Sequence, residues 1–206
     1  MVALTPALFF GLDLGQRRDP SAIAVVERLA LPHGPLDPVT WERHYRWLFS
    51  LRHVERIALG TPYLTIVSRV WDFVTNCPSS SILTPYRTLV VDASGLGAPV
   101  VESFRLEQRT ADLVPITITG SGVSRADSIS GGCLVSRRDL LTALRLLLEA
   151  NALHIADTIH DRAALIEQLT QVRERSGSAP DDLAIAVALA VWQARRGLPP
   201  TPDNSS

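Results

Sequence analysis

Two short apolar runs of this chain stop at single aspartates, and a long apolar run near its end starts at a pair of them. Leu8-Phe9-Phe10-Gly11-Leu12 leads into Asp13, and Leu89-Val90-Val91 leads into Asp92. Asp181-Asp182 opens a helical stretch to Arg196 that is apolar on nearly every face. Apolar runs without polar alternation are strands covered on both sides or helices inside a core. The chain therefore has to bury a sheet under helices while keeping carboxylates at the ends of its most buried elements. Burying like charges together is unfavourable unless something neutralises them.

The rest of the chain fills in a mixed α/β sheet flanked by helices. Leu8 to Leu14 and Ala22 to Glu27, joined by Gly15-Gln16-Arg17-Arg18-Asp19-Pro20, read as paired strands. Trp41, Tyr45, Trp47 and Phe49 fall at odd positions in Thr40 to Arg52, the period-two signature of a third strand. These three form an antiparallel meander. Thr61-Pro62 starts a helix with Leu64, Val67, Val70, Trp71 and Val74 on one face as far as Asn76. After the strand ending at Asp92, Gly95-Leu96-Gly97 turns into a helix through Val100, Val101 and Phe104, and Val114 to Thr119 is the next strand. A strand, helix, strand unit needs a parallel crossover, so parallel strands follow the antiparallel ones. Gly120 to Gly132 reads as a mobile loop carrying Arg125. Ser136 and Asp139 form a capping signal for a helix through Leu140, Leu144 and Leu148 that Asn151 closes. Leu165, Ile166, Leu169 and Val172 mark one more helix before Ser176-Gly177-Ser178 and the final one.

At 206 residues the chain suits one continuous domain, residues 1–196, with a proline-rich tail over 197–206 expected to be disordered. No apolar run approaches the roughly 20 residues of a membrane helix. Met1 to Gly11 lacks the basic leader of a signal peptide, and Cys77 and Cys133 have neither metal-ligand spacing nor the number of a disulfide framework. A cytoplasmic setting is the expectation. The net charge of −1 supplies no global basic signature for nucleic acid, and all 20 basic residues are Arg. Arg17, Arg18 and Arg125 are the loop cations placed to meet phosphate.

Carboxylates at neighbouring strand ends that converge with a third at a helix start match the needs of a hard divalent ion. Mg²⁺ takes oxygen ligands and is held by one or two carboxylates plus water and phosphate. Two such ions about 3.5–4 Å apart activate water and stabilise the leaving oxygen in phosphodiester hydrolysis. Local explanations also exist for each residue. Asp13 and Asp92 are ordinary turn formers, Asp19 suits the turn before Pro20, and Asp181 with Ser178 suits a helix cap. Capping alone does not account for their joint arrangement.

Gly11-Leu12-Asp13-Leu14-Gly15 followed by Asp19, Ser21 and Ala22 resembles the first-strand signature of phage large-terminase nuclease domains. Asp92-Ala93-Ser94-Gly95-Leu96-Gly97 is similar to that family's second segment, and Asp181-Asp182-Leu183 with Ala186, Ala188 and Ala190 to its terminal helix. Three short motifs in the right order span about Phe9 to Arg195. The resemblance implies a ribonuclease-H-like fold and a metal-dependent endonuclease acting on DNA. It further implies Asp13, Asp92 and Asp182 or Asp181 as ligands of two Mg²⁺ or Mn²⁺ ions, with Asp19 nearby. A separate packaging ATPase or portal is the implied partner, because the family's motor loop needs a Gly-Lys pair and this sequence has no Lys. Pro180 stands where the family often has His. An excised nuclease domain, a stand-alone relative or a prophage remnant all fit. Rival readings are a Holliday-junction-resolvase-like nuclease of the same fold, an actin-like ATPase, disfavoured by the bulky Gln16-Arg17-Arg18 loop, and a catalytically silent nucleic-acid or protein-binding module.

Overall fold

The computed structural model describes residues 5–15, 19–40, 43–95, 97–107, 110–120, 122, 124–127, 132–172, 180–196 and 198. The elements are β1 (Ala7–Asp13), β2 (Ser21–His33), β3 (His44–Ile57), α1 (Tyr63–Asn76), β4 (Tyr86–Asp92), α2 (Gly97–Leu106), β5 (Asp112–Thr119), β6 (Arg125–Asp127), β7 (Gly132–Ser136), α3 (Arg137–Glu149), β8 (Leu153–Ile155), α4 (Arg162–Gln171) and α5 (Asp182–Arg195). All the strands join one mixed sheet in the order β6-β7-β5-β4-β1-β2-β3-β8. The antiparallel meander is β1 to β3, and β4, β5 and β7 then add in parallel on the other side of β1. This is the expected mixed sheet. Several features differ from the sequence reading, among them Leu64, which is exposed on α1 while Ile66 joins Val67, Val70, Trp71 and Val74 on the buried face. Part of the stretch from Gly120 to Gly132 is strand β6, hairpinned onto β7, and β8 adds in parallel to β3. The expected tail lies outside the described residues apart from Leu198.

Side chains of β1 alternate between two cores, which is why its sequence shows no polar alternation. Ala7 and Phe9 pack in the layer built by α3, α4 and α5, while Leu8, Phe10 and Leu12 pack against α1 and α2. Helix α5 lies across the sheet with Leu183 to Val191 entirely buried. Its alternating alanines keep it thin, and Gly11 lets it come closer still: a Cβ there would sit 2.0 Å from the Ala186 carbonyl oxygen. At the far end of α5, Arg28 Nη1 donates to the Ala194 carbonyl at 2.6 Å, and its guanidinium lies over Phe9 and Trp47. A cation there suits the negative end of the helix dipole.

The local signals behave as their chemistry dictates. Ser136 Oγ accepts the Asp139 N–H at 3.1 Å and caps α3. Asn151 takes φ 49° just past its end, a conformation that asparagine tolerates. Among the described residues no helix is long and apolar enough to cross a membrane.

Candidate metal centre

Strands β1 and β4 run parallel with Leu12 opposite Val91, so Asp13 and Asp92 follow side by side at their C-terminal ends. Neighbouring strands lie about 4.8 Å apart. By strand alternation Asp13 continues the Phe9 and Gly11 face and Asp92 the Val90 face, the side that α5 covers. Two helix N-termini close over the same end. Helix α5 starts from Asp181-Asp182, and α3 starts from Arg137 directly after β7. The loop after β4 stays tight because Gly95 adopts φ 75° and the Ser94 N–H donates to Asp92 Oδ1 at 2.8 Å.

Asp13 carries the largest electrostatic conflict. Burial pushes its carboxyl well above the ordinary carboxylate range, and the charges of Asp92, Asp181 and Asp182 push it further, with Arg137 acting the other way. Among the described residues no hydrogen bond or ion pair reaches the Asp13 carboxylate. Burial also raises Asp92, against the opposing pull of its Ser94 hydrogen bonds and of Arg137. Thus four acidic side chains from three segments share one neighbourhood.

The aspartate pair splits in two. Asp182 is buried and fully engaged: Arg56 grips it with Nε at 2.7 Å and Nη2 at 3.1 Å, and Gln168 Nε2 adds a third bond at 2.7 Å. Gln168 Oε1 in turn accepts the Ala184 N–H at 3.0 Å. The hydrogen bond to Asp182 is also the main cause that raises the Arg56 pKa. Asp181 occupies the N-cap position of α5 without making a capping bond, and its carboxylate instead contacts Arg137 Nη2. Ser178, its suggested capping partner, lies outside the described residues.

Other candidates lie apart from this cluster. Asp19 is exposed and lines a cavity of about 460 Å³ with Gly15, Ser21, Pro62 and Tyr63, and it is not among the groups acting on Asp13. Arg125 is exposed on β6, with β7 and β5 between that strand and β4. Arg17 and Arg18 fall outside the described residues. Sequence reasoning missed Arg56, Arg137 and Gln168. Arg137 had a readable signal, since a cation in the first turn of a helix opposes the helix dipole and needs a local reason to be there.

Among the described residues no three or more histidine, cysteine or acidic side chains are set closely enough to hold a metal ion. Two of the four aspartates point to arginines instead. The donor chemistry nonetheless fits a hard divalent ion, because among the described residues Asp13 is an oxygen donor without a hydrogen-bond partner at the strand end beside Asp92, and Asp181 is bound through one contact.

The sheet order gives the chain a ribonuclease-H-like α/β fold. No protein-family model and no curated protein sequence matches the chain. In structure it matches nuclease domains of large terminases. The large terminase nuclease from thermophilic phage G20c is 18% identical at a TM-score of 0.54, with 91% of this chain and 82% of that chain covered. The human cytomegalovirus terminase nuclease domain is 16% identical at a TM-score of 0.59, covering 93% of this chain and 86% of that one. A manganese-soaked form of the latter is 15% identical at 0.53, covering 89% and 83%. At such identities the likeness is one of fold.

Proposed function

We propose that this chain is a divalent-metal-dependent endonuclease that hydrolyses DNA phosphodiesters. The observation that carries this reading is Asp13: a half-buried carboxylate at the end of a central strand, without a hydrogen-bond partner among the described residues and destabilised by three more carboxylates around it. Such a cluster is unfavourable in a protein that merely folds, and a hard cation relieves it. Asp13, Asp92 and Asp181 would hold Mg²⁺ or Mn²⁺. A pair of such ions, when bound, supplies an activated water and stabilises the leaving oxygen. Asp182 then acts through position, since Arg56 and Gln168 use it to fix the start of α5 and so the direction of Asp181. Asp19 and Arg125, which lie apart from the cluster, are given no part in holding metal, with DNA as partner and any packaging ATPase or portal supplied by another chain.

One observation favours a catalytically silent module instead: both members of the aspartate pair are bound to arginine. Plasmid nicking with Mg²⁺, Mn²⁺ or EDTA, by the wild type and by Asp13→Asn and Asp92→Asn, separates the readings. Metal-dependent cutting lost in both variants supports the nuclease. Equal cutting by a variant, or none by folded wild type with either metal, rejects it. A four-way junction included as substrate identifies resolvase-like preference.

A further inference from the structure

Arg137 sits in an unfavourable place for a cation. It is the first residue of α3, where the helix dipole repels positive charge, and its side chain is only 11% exposed. What holds it there is negative charge. It contacts the Asp181 carboxylate. The two aspartate-arginine pairs are also unequal. Asp182 is held by three hydrogen bonds from two side chains and is 6% exposed, whereas the Asp181 carboxylate meets Arg137 alone among the described residues and is 26% exposed. Exchange of partners is therefore far easier at Asp181 than at Asp182.

We infer that Arg137 is the resident counter-cation of this centre, holding Asp181 while metal is absent, surrendering it to the incoming divalent ion, and then facing the substrate phosphate. This rests on the metal-nuclease reading above. A guanidinium suits both tasks, because the same planar fork that pairs with a carboxylate pairs with a phosphate. Arg56, with its fork already filled by Asp182 and its backbone N–H donating to Asp161 Oδ2 at 3.2 Å, keeps its partner throughout.

The test is calorimetric titration of Mn²⁺ into the full chain without DNA, for the wild type, Arg137→Gln, Arg137→Ala and Arg137→Lys, with melting in EDTA to establish that each is folded. Removing the competing charge should tighten Mn²⁺ binding on the order of tenfold, equivalent to ~1.4 kcal/mol, in the Gln and Ala variants. Gln preserves much of the side-chain volume and a donor, so it carries the test if Ala does not fold. Lys keeps the charge and should bind Mn²⁺ close to the wild-type affinity. In plasmid nicking, the KM of Arg137→Gln should rise while its Mn²⁺ affinity also rises, a pairing that a purely structural role does not produce. Unchanged or weaker Mn²⁺ binding in Arg137→Gln, with the wild type binding, overturns the role of Arg137 and leaves the metal centre standing. No Mn²⁺ binding by any of the folded proteins overturns both.

Discussion

Adding a single methyl group at Gly11 probes the packing that builds this site. An alanine Cβ there would lie 2.0 Å from the Ala186 carbonyl oxygen, 2.8 Å from the Ala190 nitrogen and 3.1 Å from the Ala186 carbonyl carbon. All three are backbone atoms of a buried helix, so no side chain can swing aside. Reaching ordinary contact at 3.4 Å requires α5 and β1 to separate by about 1.4 Å. Overpacking of a core typically costs about 1–3 kcal/mol, and a clash against backbone belongs at the upper end, ~3 kcal/mol. For a chain of this size each kcal/mol lowers Tm by about 2–4 °C, so Gly11→Ala should melt roughly 6–12 °C below wild type. Because α5 starts at the aspartate pair, the same shift moves Asp181 away from Asp13, and Mn²⁺ affinity should fall with stability. Gly120→Ala is the control, since a Cβ there meets nothing within 4 Å. Melting curves and Mn²⁺ titrations of the three proteins decide the matter. If Gly11→Ala melts with wild type and binds Mn²⁺ equally, the close approach of α5 does not set the site.

Four other outcomes follow from the same structure. Asp13 and Asp92 have folded pKa values raised above their unfolded ones, so the metal-free protein should be favoured below about pH 3.9 and lose that contribution as pH rises through the raised values. Melts in EDTA across pH should show this loss, and Asp13→Asn should be more stable than wild type at neutral pH; a flat profile contradicts the electrostatic account. Asp182→Ala leaves Arg56 and Gln168 without their acceptor and should cost about 3 kcal/mol in urea denaturation. Ser136→Ala removes the α3 cap and should cost ~1 kcal/mol by the same assay. Glu27→Ala, distant from the acidic end, should cost at least ~1.5–3 kcal/mol with little effect on Mn²⁺ affinity, because the buried Glu27 carboxylate accepts from Ser79 Oγ, Ser80 N and Ser80 Oγ.

Much of this molecule is determined by patterns a few residues long. Unbroken apolar runs define β1 and β4 as strands covered on both faces, Ser136 with Asp139 starts α3, and Asn151 stops it. Each of these depends on solvation or backbone geometry within its own segment, so the sequence determines it unaided. β6 and β8 have only three residues each, too few to show a period, and they are strands only because β7 and β3 offer them hydrogen bonds. The acidic residues divide in the same way. Their positions at element ends are legible, but Asp181 and Asp182 are adjacent and chemically identical in sequence. What separates them is that α5 turns one carboxylate toward β3 and α4, where Arg56 and Gln168 wait, and the other toward α3, where Arg137 does. Partners 14 to 126 residues away in the chain make that choice, and such contacts exist only once the fold has brought the segments together.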